Sequence, residues 1–212
     1  MAARNRRAVR TEVGPASAPG TDGMSPDEAR RLFESAGAML SGHFLLSSGR
    51  HSDTYVQKAR VLERPDVAMA LAREIASWHR DVEVVLAPAV GAVPLGFAVA
   101  LACGARSIFA EREDGGMVLR RGFAVEPGER TLIVEDVVTT GGSAAEVWEL
   151  AGARGAERLG VAALIDRTTS PVGFPLRAVL RVDARAWDPS DCPLCRDGVP
   201  VDSPGSRHLR TS

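Results

Sequence analysis

The stretch T131-LIVEDVVTTGGSAAEVWE-L150 decides how this chain reads. Its β-branched run, residues 131–135, predicts a buried strand. Two adjacent acids, Glu135 and Asp136, end that run, and a polar turn with two glycines follows. A helical pattern then covers 143–154. Ser143 and Glu146 have the spacing of a capping box at its start. Gly141 and Gly142 allow unusual backbone angles and close approach. Amides at a helix N-terminus, with the hydroxyls of Thr139, Thr140 and Ser143, suit a phosphate. A carboxylate accepts hydrogen bonds from two vicinal hydroxyls, so acids beside a phosphate cradle suggest a ribose phosphate. A second reading stays open on spacing alone: a strand end with solvated acids and a capped helix. The chain has neither G-x-G-x-x-G nor G-x-x-x-x-G-K-[ST], which weakens dinucleotide and P-loop readings.

Working outward, further strands are expected at 82–90, 106–110, 158–166 and 176–182. Helices are expected from Ser25-Pro26-Asp27-Glu28, a capping box with proline at its first position, from Pro65, and over 93–103 with Gly104 as its end. Ala29, Leu32, Phe33, Ala36 and Leu40 share the spacing of the first helix. Residues 42–57 read as strand–turn–strand, with Ser48-Gly49 at the turn. The segment 111–123, "EREDGGMVLRRGF", reads as a loop or exposed hairpin. Apolar strands alternating with helices predict an α/β fold, a mostly parallel sheet covered on both faces. Its ligands would bind at the carboxyl ends of the strands.

Composition agrees with an ordinary globular chain. Of 212 residues, 45% are hydrophobic and 25% charged, and the net charge of −1 argues against a broad nucleic-acid surface. No apolar run is long enough to span a membrane. Three cysteines are too few for a disulfide scaffold, so a reducing, cytoplasmic setting is expected. Residues 1–24 are arginine-rich and then rich in small residues, without the apolar core of a secretory signal. They read as a disordered extension ahead of a domain at 25–200, with Met24 as an alternative start and a flexible tail at 201–212.

The segment "LIVEDVVTTGGS" (132–143) resembles the phosphoribosyl pyrophosphate (PRPP) loop of the type I phosphoribosyltransferases. "GHFLLSSGRHSDTYVQKARVL" (42–62) resembles the segment that closes over the base in the orotate-specific branch, and "ALIDRT" (163–168) resembles that branch's following strand end. The resemblance covers roughly residues 25–200. It implies the type I fold with a small hood from the N-terminal segment. It implies transfer of ribose 5-phosphate from PRPP to orotate with Mg²⁺, giving orotidine 5′-monophosphate and pyrophosphate in pyrimidine biosynthesis. The metal would be held by PRPP near Glu135 and Asp136, without direct protein ligands.

The resemblance also implies roles. Glu135 and Asp136 would hold the ribose hydroxyls, and Val137, Val138, Thr139, Thr140, Gly141, Gly142 and Ser143 the 5-phosphate side. Arg167 would meet the orotate carboxylate, with Thr139 nearby and Tyr55 stacked on the base, or Tyr55 is a core aromatic. Pro88, Ala89, Val90 and Gly91 would form the pyrophosphate loop. Arg112, Arg120 and Arg121 would stabilise the departing charge, or the latter two are a solvated hairpin. The family forms dimers whose mobile loop reaches the neighbouring site, so a homodimer with shared sites is implied.

Three positions depart from the family pattern. The 111–123 segment lacks the usual loop lysines and histidine, Gly91 stands where many members carry lysine, and Ser47 stands at a base-site lysine. Two other readings compete: a PRPP-binding regulator on nucleic acid, and a purine phosphoribosyltransferase. The near-zero net charge speaks against the first, and the 42–62 segment with Arg167 against the second.

"DCPLC" (191–195) has C-x-x-C spacing. A zinc site needs four ligands, Cys103 lies in an apolar helix pattern, and His208 is in the tail. Two readings stand: structural thiols in a proline-tightened turn, or a zinc site shared across a dimer. His43 reads as structural, and His51 as structural or touching ligand.

Overall fold

The structure, a computed structural model, describes residues 23–46, 48–182 and 185–204. Ser47, His208 and most of the expected terminal segments lie outside the described residues.

The chain opens with α1 (Pro26–Ser35), the hairpin β1 (Met39–Leu45) and β2 (His51–Val56), and the short α2 (Lys58–Leu62). Next come α3 (Pro65–Ser77), β3 (Val84–Pro88), α4 (Val93–Cys103), β4 (Arg106–Glu113) and β5 (Gly116–Leu119). Then follow β6 (Arg130–Val138), α5 (Gly142–Ala153), β7 (Glu157–Asp166) and β8 (Leu176–Arg181). The described chain closes through β9 (Ala186–Trp187), a 3₁₀ turn (Pro189–Asp191) and α6 (Pro193–Arg196).

Six strands form the main sheet in the order β5-β4-β3-β6-β7-β8. All neighbours pair parallel except β4 with β5, which form an antiparallel hairpin. This is the mostly parallel α/β sheet that the apolar strands predict. A second sheet, β1-β2-β9, forms the hood. Every residue of β3 is buried, as a strand covered on both faces requires.

On one face, α3 and α4 pack Leu71, Ile75, Leu95 and Val99 against Val85, Leu132 and Leu164. On the other, Ala144, Val147 and Ala151 of α5 meet Leu86, Ile133 and Val161. Burying one such Leu or Ile contributes about 1.5–3 kcal/mol. Gly96 sets the approach of α4 to the sheet, since a Cβ there would lie 2.9 Å from Ala87 Cβ.

From β3 the chain crosses to β4 over α4; from β6 it crosses the other way to β7 over α5. The two helices lie on opposite faces. The sheet order therefore reverses between β3 and β6, and a crevice opens at their carboxyl ends.

Four local expectations change. The first helix stops at Ser35, because Gly37 turns left-handed at φ +65, so Leu40 belongs to β1. The Ser25–Glu28 capping box forms as the spacing predicts. The Ser143–Glu146 box does not: Gly141, at φ +79, caps α5 and puts Ser143 inside the first turn. The short elements α2, β9 and α6 have too few residues to show a period. Beyond position 200 the backbone still pairs, with the Asp202 amide donating to His43 O at 2.7 Å and the Leu45 amide to Asp202 O at 2.8 Å.

Candidate active site

The crevice is lined by Lys58, by Pro88, Ala89 and Gly91 after β3, and by Glu135, Asp136, Val137 and Ser143 around the end of β6. Its floor is the acid pair. Glu135 is 8% exposed and Asp136 4%. The Asp136 amide donates to Glu135 Oε1 at 2.9 Å, and the Val137 amide to Asp136 Oδ1 at 2.7 Å. Asp136 Oδ2 forms an ion pair with Lys58 Nζ. Two neighbouring buried carboxylates cannot both ionise cheaply. Burial, and then the adjacent Asp136 charge, push the Glu135 carboxyl up to about 8.

Lys58 is the residue that sequence reasoning missed. It stands inside the quoted 42–62 segment, but "QKARVL" reads locally as ordinary amphipathic text. The only available signal was the missing cation at Gly91. The structure explains that glycine: a Cβ at Gly91 would overlap Asp136 Oδ2 and stand 3.0 Å from Lys58 Nζ. The lysine head occupies the space beside the loop that a side chain at 91 would need.

The polar turn follows the acids directly. Thr139, Thr140, Gly142 and Ser143 are exposed around a small hollow that also includes Val138, Gly141 and Ala144. The Ala145 amide makes the first helical bond, to Gly141 O at 2.8 Å. The amides of 142–144 precede that ladder and are free to meet an anion. Gly141 is required twice over, by its left-handed backbone and by Val172 Cγ1, which a Cβ would approach to 2.9 Å.

Arg167 follows β7, and its amide donates to Val138 O at 2.8 Å, which anchors it beside the turn. Its side chain is half-buried, and burial pulls the guanidinium below its ordinary value while nearby Tyr55 opposes. Tyr55 is partly buried and its ring lies 5.7 Å from that of Phe44.

The three hairpin arginines lie apart from this floor. Arg112 donates to Gly115 O at 2.7 Å and to Glu146 Oε1 of α5 at 3.0 Å. Arg120 pairs with Glu113 at 3.1 Å, and Arg121 with both oxygens of Glu111 at 2.9 Å. All three are exposed, and solvent-screened pairs of this kind contribute little, so a polyanion could exchange for the acids.

His43 and His51 converge elsewhere, with Cys192 and Cys195, in one cluster of a single chain. All four side chains come from one chain, without a partner's residue. His51 belongs to the cluster rather than to the Arg167–Tyr55 region. Cys103 stays in α4, as its apolar context predicts. A large cavity lies on the far side, among Arg31, Glu74, Trp78 and Arg177, away from the strand ends.

Glu135 has a pH signature. Its folded pKa is about 8 against an ordinary 4.5. Between those values the folded chain holds a proton that the unfolded chain has released, so stability from this group is present below the window and declines across it as pH rises. Glu135→Gln removes the titration. Its thermal midpoint is expected to fall less than that of the parent from pH 5 to 8.5, by roughly 2–4 °C for each kcal/mol lost in the parent. Equal slopes in scanning calorimetry would mean that Glu135 is already ionised in the fold.

The family profile of the phosphoribosyl transferase domain matches residues 58–172. The orotate phosphoribosyltransferase of Thermotoga petrophila is 49% identical over 185 residues, covering 85% of this chain and 99% of its own. That of Caldicellulosiruptor saccharolyticus is 44% identical over 191 residues, covering 88% of this chain and all of its own. Among solved structures, Mycobacterium tuberculosis orotate phosphoribosyltransferase in complex with inorganic phosphate aligns with a TM-score of 0.57 and 28% identity, over 74% of this chain and 96% of that one. With a family profile over more than half of its length and relatives of 44–49% identity over most of it, the chain belongs to the orotate phosphoribosyltransferase family.

Proposed function

We propose that the β3/β6 crevice binds PRPP and transfers its ribose 5-phosphate to orotate, releasing pyrophosphate. The carrying observation is the convergence of Lys58, Gly91 and Asp136 beside the 139–143 turn. In this reading the turn amides and the hydroxyls of Thr139, Thr140 and Ser143 hold the 5-phosphate. Glu135 and Asp136 accept hydrogen bonds from the ribose hydroxyls. Lys58 lies where a pyrophosphate over residues 88–91 would need a cation. Arg167 takes the orotate carboxylate bidentately, and Tyr55 flanks the ring with Thr139 at its edge.

The ring nitrogen attacks the anomeric carbon as the pyrophosphate oxygen leaves with the bonding pair, and the nitrogen's proton passes to the departing pyrophosphate or to water. The protein acts by positioning the two and by neutralising the leaving group. Arg112, Arg120 and Arg121 stand ready to exchange their acids for pyrophosphate oxygens. The oxygen-rich acid pair fits Mg²⁺, which Glu135 and Asp136 would flank, and which when bound neutralises pyrophosphate charge.

The wider reading is a cytoplasmic enzyme of pyrimidine biosynthesis, acting as a homodimer without nucleic acid or membrane. Among the described residues no helix is long and apolar enough to cross a membrane. The α4 face supports the dimer: Phe97 is 62% and Leu101 63% exposed, one helical turn apart.

With PRPP and Mg²⁺, turnover is expected for orotate and not for uracil, hypoxanthine, xanthine or adenine; turnover of a purine alone would overturn the assignment. Arg167→Ala should raise the orotate KM about 10- to 100-fold, the loss of a charged hydrogen-bonded pair, with PRPP binding retained. Lys58→Ala should lower kcat at least about tenfold. Unchanged kinetics in either variant would remove that residue from the site. For the assembly, Phe97→Asp should move sedimentation from dimer to monomer, and an unchanged dimer would place the interface on another face.

A further inference from the structure

Four side chains remain outside this mechanism, and together they form a second site. His43 lies on β1 and His51 on β2, brought together by the antiparallel hairpin. Cys192 precedes the four-residue α6 and Cys195 lies within it, 149 and 144 positions away from the histidines they face. His43 is 2% exposed, His51 8% and Cys192 0%. Cys195 is exposed at the rim, but its sulfur faces inward, 3.2 Å from His51 Nδ1.

The distances have the scale of a coordination polyhedron. His43 Nε2 lies 2.8 Å from His51 Nδ1, 3.5 Å from Cys192 Sγ and 3.7 Å from Cys195 Sγ. All four donor atoms lie within 4.8 Å of one another. A tetrahedron with Zn–N near 2.0–2.1 Å and Zn–S near 2.3 Å has edges of about 3.3–3.8 Å. The sulfur–nitrogen separations, 3.2, 3.5 and 3.7 Å, largely overlap that range. The two imidazoles, 2.8 Å apart, would need to part by about half an ångström to admit an ion of that size.

The orientation of His43 carries the argument further. Its Nδ1 lies 2.7 Å from Val199 O, a carbonyl that can only accept. That bond puts the proton on Nδ1 and turns the Nε2 lone pair toward His51 and both sulfurs. A backbone carbonyl behind an imidazole is a common arrangement for orienting a metal-bound histidine. An apolar staple would need none of this, and four converging lone-pair donors in a nearly dry pocket are costly without an ion or protons between them.

We propose that His43, His51, Cys192 and Cys195 form a tetrahedral site for one zinc-class divalent transition-metal ion. Two thiolates and two imidazoles, with no oxygen donor among the four, select such an ion over Mg²⁺ or Ca²⁺. Because protein atoms fill all four positions, the site is structural, with no place for water or substrate. It ties the β1–β2 hairpin, which carries Tyr55, to the segment 189–204 that already pairs with it through Asp202. The ion joins elements far apart in sequence, so its binding energy is folding energy for the hood.

The test reads metal directly and is independent of turnover. The full chain, without a histidine tag and purified under reducing conditions from zinc-supplemented cells, is passed into metal-free buffer and assayed by mass spectrometry of elements. About one zinc per chain is expected. Cobalt(II) exchanged for zinc should show the intense visible bands of a tetrahedral ion and a thiolate charge-transfer band. Cys192→Ser/Cys195→Ser and His51→Gln should each cut metal content severalfold, whereas Cys103→Ser should retain it. Removing the ion from the parent chain with a chelator should lower its thermal midpoint reversibly. The proposal is overturned by a folded parent chain with three free thiols and no stoichiometric zinc. It is equally overturned by a Cys192–Cys195 disulfide in freshly reduced protein, by octahedral cobalt spectra, or by unchanged metal content in both ligand variants. Should the double serine variant fail to fold, the cobalt spectrum of the parent still decides.

Discussion

Two carboxylates, nearly buried and adjacent in sequence, sit near the carboxyl end of the central strand of this sheet. That arrangement is tolerable only if charge is shared out around it. One acid is met by Lys58, two backbone amides serve the pair, and Glu135 is pushed toward its protonated form. Each answer constrains something else. Lys58 must stand at the start of a short helix after the hood hairpin. The loop after β3 must be glycine at position 91, since a side chain there would strike Asp136. The cleft is therefore organised around the electrostatics of one strand end.

The sheet topology makes this possible. Parallel strands put the ends of β3, β6 and β7 on one edge, and the reversal of order between β3 and β6 leaves a gap there that neither α4 nor α5 covers. The acid pair, the anion turn and Arg167 arrive on that edge from two neighbouring strands. Tyr55 arrives from the hood, which is a separate small sheet. The position of Tyr55 therefore depends on the hood, and the histidine–cysteine cluster joins the hood hairpin to the segment after it.

Much of this was legible before any coordinates. The buried strands, the covered parallel sheet, the polar turn after Glu135 and Asp136, and the left-handed end of α4 at Gly104 follow from local periodicity and glycine placement. What failed locally failed for identifiable reasons. Gly37 ended the first helix before Leu40 could join its face, and Gly141 took the cap that Ser143 was expected to fill. Elements as short as α2, β9 and α6 have no period to detect.

The sequence by itself determined the class of fold and the chemistry of the β6 turn, because both are written in neighbouring residues: strand apolarity, paired acids, glycines and a helix start. Tertiary structure alone decided which distant groups meet. Lys58 reaches Asp136 across 78 positions, and His43 reaches Cys192 across 149. No local pattern encodes such meetings. They arise when sheet order and hairpin packing close long loops, and the entropy of that closure is met by the core as a whole rather than by the residues that come into contact.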